Sequence, residues 1–350
     1  MESSGMEFWL PAIWSVVIAV GVLMYVVMDG FDLGIGLLFP FARGERERDV
    51  MMNSVAPVWD GNETWLVLGG GGLLAAFPVA YATILPALYL PIILMLMGLI
   101  FRGVAFEFRA KASDANKYWW NTAFAGGSAL ATLTQGIALG AFIQGFQVEI
   151  TSQGAGDLTT AVFAGSAFAW LTPFSIVCGL ALMLGYGLLG ATWLIMKTDG
   201  ELQDWAYERA EYLLGGVVLA LIVVSIWTPL LDPMIRDTWF SWPNILMLSP
   251  VPIITALILL QLWRSLQQRR EVQPFGLAIV TFLLSYLGLG ISLYPYVVPH
   301  EISVWQGASA QSSLIFMLVG VVILLPVILA YTGYCYWVFR GKVRPEEGYH

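Results

Sequence analysis

Charge is the first thing this chain has little of. Only 11% of its 350 residues are charged, while 58% are hydrophobic and the mean hydropathy is +0.76. A soluble globular domain is usually about 25% charged. The composition therefore excludes an ordinary soluble protein and predicts a chain whose solvent is lipid. The formal net charge is −8, and we expect no nucleic-acid partner.

Histidine and cysteine are also scarce. The two cysteines, Cys178 and Cys335, lie in separate apolar runs and form no CxxC pair, which favours buried thiols over a zinc or iron–sulfur site. The two histidines are His300, in an outer loop, and His350, at the terminus. Haem held between two histidines needs a buried pair. We therefore expect no metal and no bis-histidine haem in this chain.

Nucleotide-binding motifs are missing as well. Four glycines follow one another at Gly69–Gly72, but no Lys-Ser or Lys-Thr comes after them and their neighbours are apolar. A phosphate-binding loop is thereby excluded, and close packing between helices is the better interpretation. An ATP-driven pump is not expected.

Long apolar runs are what the chain has in abundance. A membrane-spanning helix needs about 20 apolar residues, and the sequence predicts about nine such spans in a single membrane domain. The first is too long for a cleavable signal and no basic residue precedes it. The break between the second and third spans depends on Pro78 and Pro86. The predicted spans are residues 8–41, 56–79, 84–104, 119–146, 163–196, 212–231, 244–263, 274–298 and 312–339.

The basic residues of the loops fall in every second loop, and the other loops carry almost none, with Arg236 as the exception. This one-sided pattern is the positive-inside signal. It predicts a multi-pass protein of the bacterial inner membrane, with a periplasmic N-terminus and a cytoplasmic C-terminus, and opposite termini require an odd number of spans. The basic residues in question are Arg43, Arg46, Arg48, Arg109, Lys111, Lys117, Lys197, Arg209, Arg264, Arg269, Arg270, Arg340, Lys342 and Arg344.

Four carboxylates lie within or beside the first two spans. Asp29 and Asp32 are three residues apart in the first span, and Asp60 and Glu63 repeat that spacing at the start of the second. Residues three apart share one helix face, and a charge inside a span is costly enough to be a functional candidate. All four lie toward the predicted cytoplasmic side. A carboxylate in a low-dielectric site can shuttle protons, so they predict a proton path.

Structural explanations stay open for the same charges. The second pair of acids fits surface or helix-capping positions at the start of a span. In one alternative, Asp29 or Asp32 forms a structural ion pair with Arg102. In another, the Arg102 side chain snorkels to the membrane interface. Arg109, seven residues further on, is expected to mark the interface itself.

Four stretches of sequence carry a family resemblance. The stretches are MDGFDLGIGLLFP at 28–40, NSVAPVWDGNETWLV at 53–67, FRGVAFEFR at 101–109 and YTGYCYW at 331–337. Together they resemble subunit II of cytochrome bd-type quinol oxidases, and the short loops favour the cyanide-insensitive branch.

The resemblance implies a respiratory complex. It would oxidise ubiquinol or menaquinol, reduce O₂ to water and build a proton gradient, with two b haems, haem d and the quinol site in a partner, subunit I. Subunit II would carry no haem and no catalytic residue, and small single-helix subunits could attach to the complex. Its fold would be two four-helix bundles plus one extra helix, at residues 1–148, 149–300 and 301–350.

The resemblance also assigns roles to individual residues. Asp29 in the MDGFD motif and Asp60 in the WDGNE motif match acids of the family's proton path. Trp59 matches a tryptophan associated with a structural quinone in some members.

Two other functions compete with this one. A proton-coupled secondary transporter would share the intramembrane acids and the glycine-rich helices, although its acids would lie at the midplane rather than toward one side. A purely structural subunit, which only stabilises a haem-bearing partner, is the third.

Overall fold

The computed structural model describes residues 3–153 and 158–343, so Arg344 and His350 lie outside the described residues. Fourteen α-helices, one 3-10 helix (Phe39–Phe41) and two small hairpins make up the described part of the chain. The helices are α1 (Ser3–Leu38), α2 (Glu45–Asn53), α3 (Trp59–Ala76), α4 (Pro78–Ala87), α5 (Tyr89–Arg109), α6 (Asp114–Gln144), α7 (Pro173–Lys197), α8 (Gly200–Leu231), α9 (Pro233–Phe240), α10 (Asn244–Leu248), α11 (Pro250–Gln267), α12 (Gln273–Leu293), α13 (Val304–Gly307) and α14 (Gln311–Val338). The antiparallel strand pairs are β1 (Val148–Gln153) with β2 (Leu158–Phe163), and β3 (Tyr296–Val298) with β4 (Ile302–Ser303).

The prediction of an all-α polytopic membrane protein is confirmed. Eight helices of the described residues are long and apolar enough to cross a membrane, and they coincide with eight of the nine predicted spans. The remaining predicted span corresponds to α3, whose 18 residues include Asp60, Asn62 and Glu63 and which is not among the eight. At 1.5 Å per residue α3 is still about 27 Å long.

Two span boundaries differ from the prediction. The fifth was expected to begin at Phe163, but that residue ends β2 and the helix begins at Pro173. A capping box starts it, because the side chains of Thr172 and Ser175 each accept a hydrogen bond from the other's backbone N–H. Strand β2 is apolar, so along the sequence its last residues looked like the beginning of the apolar run of α7. The sixth span, α8, begins at Gly200 rather than at residue 212, because its first turns bury Leu202, Trp205 and Ala206 although they also carry charged residues.

The basic loops gather at one end of the helices. Lys342, after α14, lies 2.5 Å from an oxygen of Asp199 in the α7–α8 loop and 2.9 Å from one of Glu271 in the α11–α12 loop. Arg43, after α1, lies 3.9 Å from Glu201 at the start of α8. Loops that were predicted to share a membrane face therefore contact one another.

The other loops meet at the opposite end. His300, between β3 and β4, lies 2.8 Å from Asp232 after α8. Trp305 of α13 donates a hydrogen bond to the carbonyl of Phe8 near the start of α1. The start of α1 and the end of α14 therefore lie at opposite ends of the helices.

Helix α1 lies at the centre of the packing, where it meets α3, α6 and α7. A Cβ atom on Gly34 would lie 1.9 Å from the carbonyl oxygen of Tyr186, and one on Gly190 would lie 2.5 Å from Gly34. Glycine at both positions is what lets the two backbones approach. Helix α7 packs closely against both α1 and α6. The predicted division of the chain into two bundles at residue 149 therefore stays a prediction.

The four-glycine run of α3 is partly explained by packing. A Cβ on Gly69 or Gly72 would lie 3.1 Å from Val22 or Ile18 of α1. The predicted close packing is confirmed for these two glycines, whereas Gly70 and Gly71 have nothing within 4 Å.

Candidate functional site: a buried polar cluster between α1, α3, α5 and α14

Arg102 and Asp29 form a fully buried ion pair between α5 and α1. The Arg102 Nη2 donates to Asp29 Oδ1 and lies 3.8 Å from an oxygen of Glu63 on α3. Asp29 lies nine residues before the end of α1 at Leu38, about 14 Å along the helix axis. Arg102 thus makes the ion-pair contact that the sequence offered as one alternative, and its side chain is 0% exposed.

Asp32 is held by a hydrogen-bonded chain that reaches α14. The Asn62 Nδ2 donates to Asp32 Oδ2 at 2.7 Å and to the carbonyl of Met28 at 3.3 Å. The Tyr336 hydroxyl donates to Asn62 Oδ1 at 2.7 Å. Asp32 and Asn62 are both about 1% exposed, so one amide connects three helices in the interior.

A second polar branch leaves Asp29 toward α6 and α7. The Tyr25 phenol interacts with the Asp29 carboxyl group and accepts a hydrogen bond from Gln135 Nε2 at 2.7 Å. The hydroxyl of Tyr186, which is fully buried, donates to Gln135 Oε1 at 3.1 Å.

Several polar atoms of the cluster have no hydrogen-bond partner among residues 3–153 and 158–343. They are Asp29 Oδ2, Asp32 Oδ1, and the Nε and Nη1 of Arg102. Buried polar groups in proteins are nearly always hydrogen-bonded, to protein or to ordered water. These atoms therefore mark the positions at which the cluster would bind water.

Asp60 lies apart from the buried acids. It occupies the first turn of α3 and its side chain is exposed, while Glu63, one turn further, is half-buried with 28% of its side chain exposed. The structure thus brings three of the four predicted acids together with Arg102, and leaves the fourth at the rim.

Trp59 borders the same cluster. Its ring is stacked on Phe106, with centroids 4.8 Å apart and planes 6° from parallel, and the Arg102 Cζ lies 5.5 Å from its centroid. Both contacts come from α5, so a quinone at this position would have to meet the side of the indole that faces away from α5.

Sequence reasoning missed the neutral members of this site. Asn62 lies in the quoted motif at 53–67 and Tyr336 in the one at 331–337, but neither was singled out. Gln135 is an isolated amide in an apolar stretch of α6. A polar residue in an otherwise apolar span was the available signal. That signal singled out the charged residues Asp29, Asp32 and Arg102 but not these neutral ones.

Arg109, which was expected to mark the interface, is the last residue of α5 and forms a second cluster there. Its Nε donates to Asn121 Oδ1 at 2.6 Å, its Nη1 to Asp49 at 2.6 Å and its Nη2 to Glu45 at 2.8 Å. The arginine is 4% exposed in its side chain, but the two acids on α2 are 43–46% exposed. This cluster fastens α2 to α5 and α6.

The sequence profile described as cytochrome bd terminal oxidase subunit II matches residues 10–339. The chain belongs to that family.

Relatives and a solved structure agree with this assignment. Subunit 2 of the cytochrome bd-I ubiquinol oxidase of Escherichia coli K12 is 28% identical over 369 residues, which cover 97% of this chain and 96% of the relative. Subunit 2 of the cytochrome bd ubiquinol oxidase of Bacillus subtilis is 28% identical over 348 residues, covering 97% and 98%. The bd oxidase structure from Geobacillus thermodenitrificans superposes with a TM-score of 0.77 at 18% identity, covering 95% of this chain and 99% of that one, and so shares the fold.

The homologues are subunits of a quinol:oxygen oxidoreductase, and a second subunit implies a partner subunit. Among residues 3–153 and 158–343, no group of three or more histidine, cysteine or acidic side chains could hold a metal ion. The haem-free character of the chain and its place in the cyanide-insensitive branch stay predictions.

Proposed function

We propose that this chain is the haem-free second subunit of a cytochrome bd-type quinol oxidase and that its buried polar cluster carries protons from the cytoplasm toward the haems of subunit I. Family membership supports the first part. Two b haems and haem d belong to the partner, and ubiquinol or menaquinol is the electron donor. The one-sided basic loops support a cytoplasmic C-terminus in the bacterial inner membrane.

The observation that carries the proton path is the burial of Asp29 and Asp32. Both lie at most 1% exposed inside a span, and each keeps one carboxylate oxygen without a protein partner. Oxygen reduction consumes protons in a low-dielectric region, where water-linked acids are the usual carriers. Exposed Asp60 takes up protons at the rim, and half-buried Glu63 passes them inward to Asp29.

Asp29→Asn and Asp60→Asn, each made in the purified complex, test this path. Each amide keeps the shape of the side chain but cannot release a proton readily. We expect Asp29→Asn to lower quinol-dependent oxygen consumption by on the order of 10²-fold, in the range that a positioned acid–base group contributes. Asp60→Asn should act in the same direction, and the double variant should be less than additive because the residues share one route.

The haem spectrum of each variant is the control for assembly. If both variants contain normal haem, oxidise quinol at the unchanged rate and acidify the outside normally, the proton path is wrong. A purely structural role predicts loss of haem and poor assembly instead, and a transporter would purify without a haem-bearing subunit. The chain expressed alone should show no haem bands, whereas the complex should show b- and d-type bands.

A structural quinone at Trp59 and small accessory subunits complete the proposal. Trp59→Phe keeps the stacking on Phe106 but shortens the aromatic surface, and should lower the quinone content of the extracted complex. Unchanged quinone content would remove Trp59 from the site.

A further inference from the structure

A cavity of about 310 Å³ lies beneath the end of α14. We call it the inner cavity. At roughly 30 Å³ per molecule it has room for several waters, and it lies at the end of the helices where the basic loops meet. Its lining residues are Asn53, Ser54, Pro57, Val58, Trp193, Lys197, Tyr336, Val338, Phe339, Gly341, Lys342 and Val343.

One wall of the inner cavity is the segment 339–343, which we call the C-terminal strap. The Lys197 Nζ donates to the carbonyls of Phe339 and Gly341, the latter at 3.2 Å. The backbone N–H of Val343 donates to the carbonyl of Lys197 at 2.8 Å. The strap is therefore tied to the end of α7 at both of its ends.

The outer side of the strap faces a larger depression of about 770 Å³. Gly341, Lys342 and Val343 line both spaces. The depression is also lined by the charged residues Arg46, Glu47, Asp199 and Glu201 and by the buried residues Val50, Thr198 and Leu202. The strap therefore lies between the charged depression and the inner cavity.

Hydrogen bonds connect one wall of the cavity to the buried acids, although Asn62 and Asp32 are not among its lining residues. Tyr336 lines it, and the Tyr336 hydroxyl begins the chain through Asn62 to Asp32 in which each hydrogen bond is 2.7 Å long. A carboxamide does not release a proton readily, so Asn62 acts as a positioning residue. The Asp32 Oδ1, which has no protein partner, is the atom that exchanges.

We propose that the inner cavity is a water-filled vestibule that delivers protons to Asp32 past Tyr336. It forms a second inlet, parallel to the one through Asp60 and Glu63, and the two converge at the Asp29–Arg102 pair. This rests on the proposed proton path, which it extends by naming a source, the water held behind the C-terminal strap.

Tyr336→Phe in the assembled complex is the first test. It removes only the hydroxyl and keeps the ring, which packs edge-on to Phe31 and Trp193. In the Asp60→Asn background the vestibule is the remaining inlet for protons. In that background, Tyr336→Phe should slow both oxygen consumption and the build-up of membrane potential by about fivefold, the effect of one ordinary hydrogen bond. Tyr334→Phe, an exposed neighbour on α14, is the matched control.

A blocking experiment avoids dependence on one variant. Asn53→Cys places a thiol on the cavity wall, and a bulky thiosulfonate reagent is added to inverted membrane vesicles. Compared with the same variant before labelling, in the Asp60→Asn background, the labelled complex should charge the membrane several-fold more slowly while its haem spectrum stays unchanged. The chain without the introduced cysteine controls for Cys178 and Cys335.

The outcomes separate the two proposals. If Asp29→Asn leaves turnover normal, the proton path itself is wrong. If Asp29→Asn slows turnover but neither Tyr336→Phe nor the Asn53→Cys label slows it further in the Asp60→Asn background, the vestibule is wrong and the path stands. Slowing by both, with Tyr334→Phe unchanged, supports the vestibule.

Discussion

Two buried arginines on α5, seven residues apart, lie in opposite kinds of environment. Arg109 uses its Nε, Nη1 and Nη2 on side-chain acceptors, and its acidic partners are 43–46% exposed. Arg102 is fully buried with Asp29, and its Nε and Nη1 have no partner. A satisfied cluster at the rim fastens helices, whereas an unsatisfied one in the interior has hydrogen-bonding capacity left for water and for protons.

Replacing each arginine in turn should give the largest difference in stability between the two regions. Arg102→Met leaves the Asp29 carboxylate buried without its cation, which destabilises a protein by about 3–5 kcal/mol. Arg109→Met leaves acids that water can solvate, so the loss should be smaller. Thermal inactivation of the two purified complexes, with haem content as the reference, measures both.

A compensating change checks the cause. Adding Asp29→Asn to Arg102→Met removes the stranded charge and should restore most of the assembled complex, though not its turnover. If the double variant assembles no better than Arg102→Met, the loss is one of packing rather than of charge.

The next largest difference in stability is expected between variants of two asparagines, Asn62 in the Arg102 region and Asn121 in the Arg109 region. Asn62→Ala leaves Asp32 and Tyr336 without their shared partner in the interior, at a cost of about 1–3 kcal/mol for unsatisfied buried groups. Asn121→Ala removes a contact from Arg109 in a half-buried position, where water replaces it. Melting temperatures of the two variants should therefore differ in that order, and equal losses would contradict the comparison.

Acid should loosen the Arg109 region first. Partial burial opposes ionisation of Glu45, but hydrogen bonding from Arg48 and the charges of Arg109 and Arg48 lower its pKa below 4.5. A carboxylate with a lowered folded pKa stabilises the folded state above its unfolded pKa, and that contribution is lost as pH falls through the folded value.

Glu45→Gln should remove that part of the acid sensitivity. The measured quantity is thermal stability between about pH 5 and pH 3, with Glu47→Gln on the same helix as the control. This is the smallest effect of the set, because the acid is largely exposed and the surrounding water screens it. Identical pH profiles for the wild type and Glu45→Gln would show that the Arg109 region does not depend on this charge.

The sequence alone determined the class of the protein and the positions of its spans. Apolar runs of about 20 residues leave few alternatives to a membrane helix, and eight of the nine predicted spans are present as apolar helices. The MDGFD and WDGNE motifs also gave the correct family and three members of the buried cluster. Where the pattern was ambiguous it failed, since an apolar strand ending at Phe163 looks like the start of a helix.

Only the tertiary structure decided which of the candidate charges share an environment. Asp29 and Asp60 have the same chemistry and the same kind of motif, yet one is fully buried against Arg102 and the other faces outward. The sequence likewise placed Arg109 at the interface and left open whether Arg102 forms an ion pair, whereas both side chains are buried in the structure. Burial and partners depend on which helices cross beside a residue, and Asp29 is buried because α5 brings Arg102 against it, whereas no helix of the described residues covers Asp60.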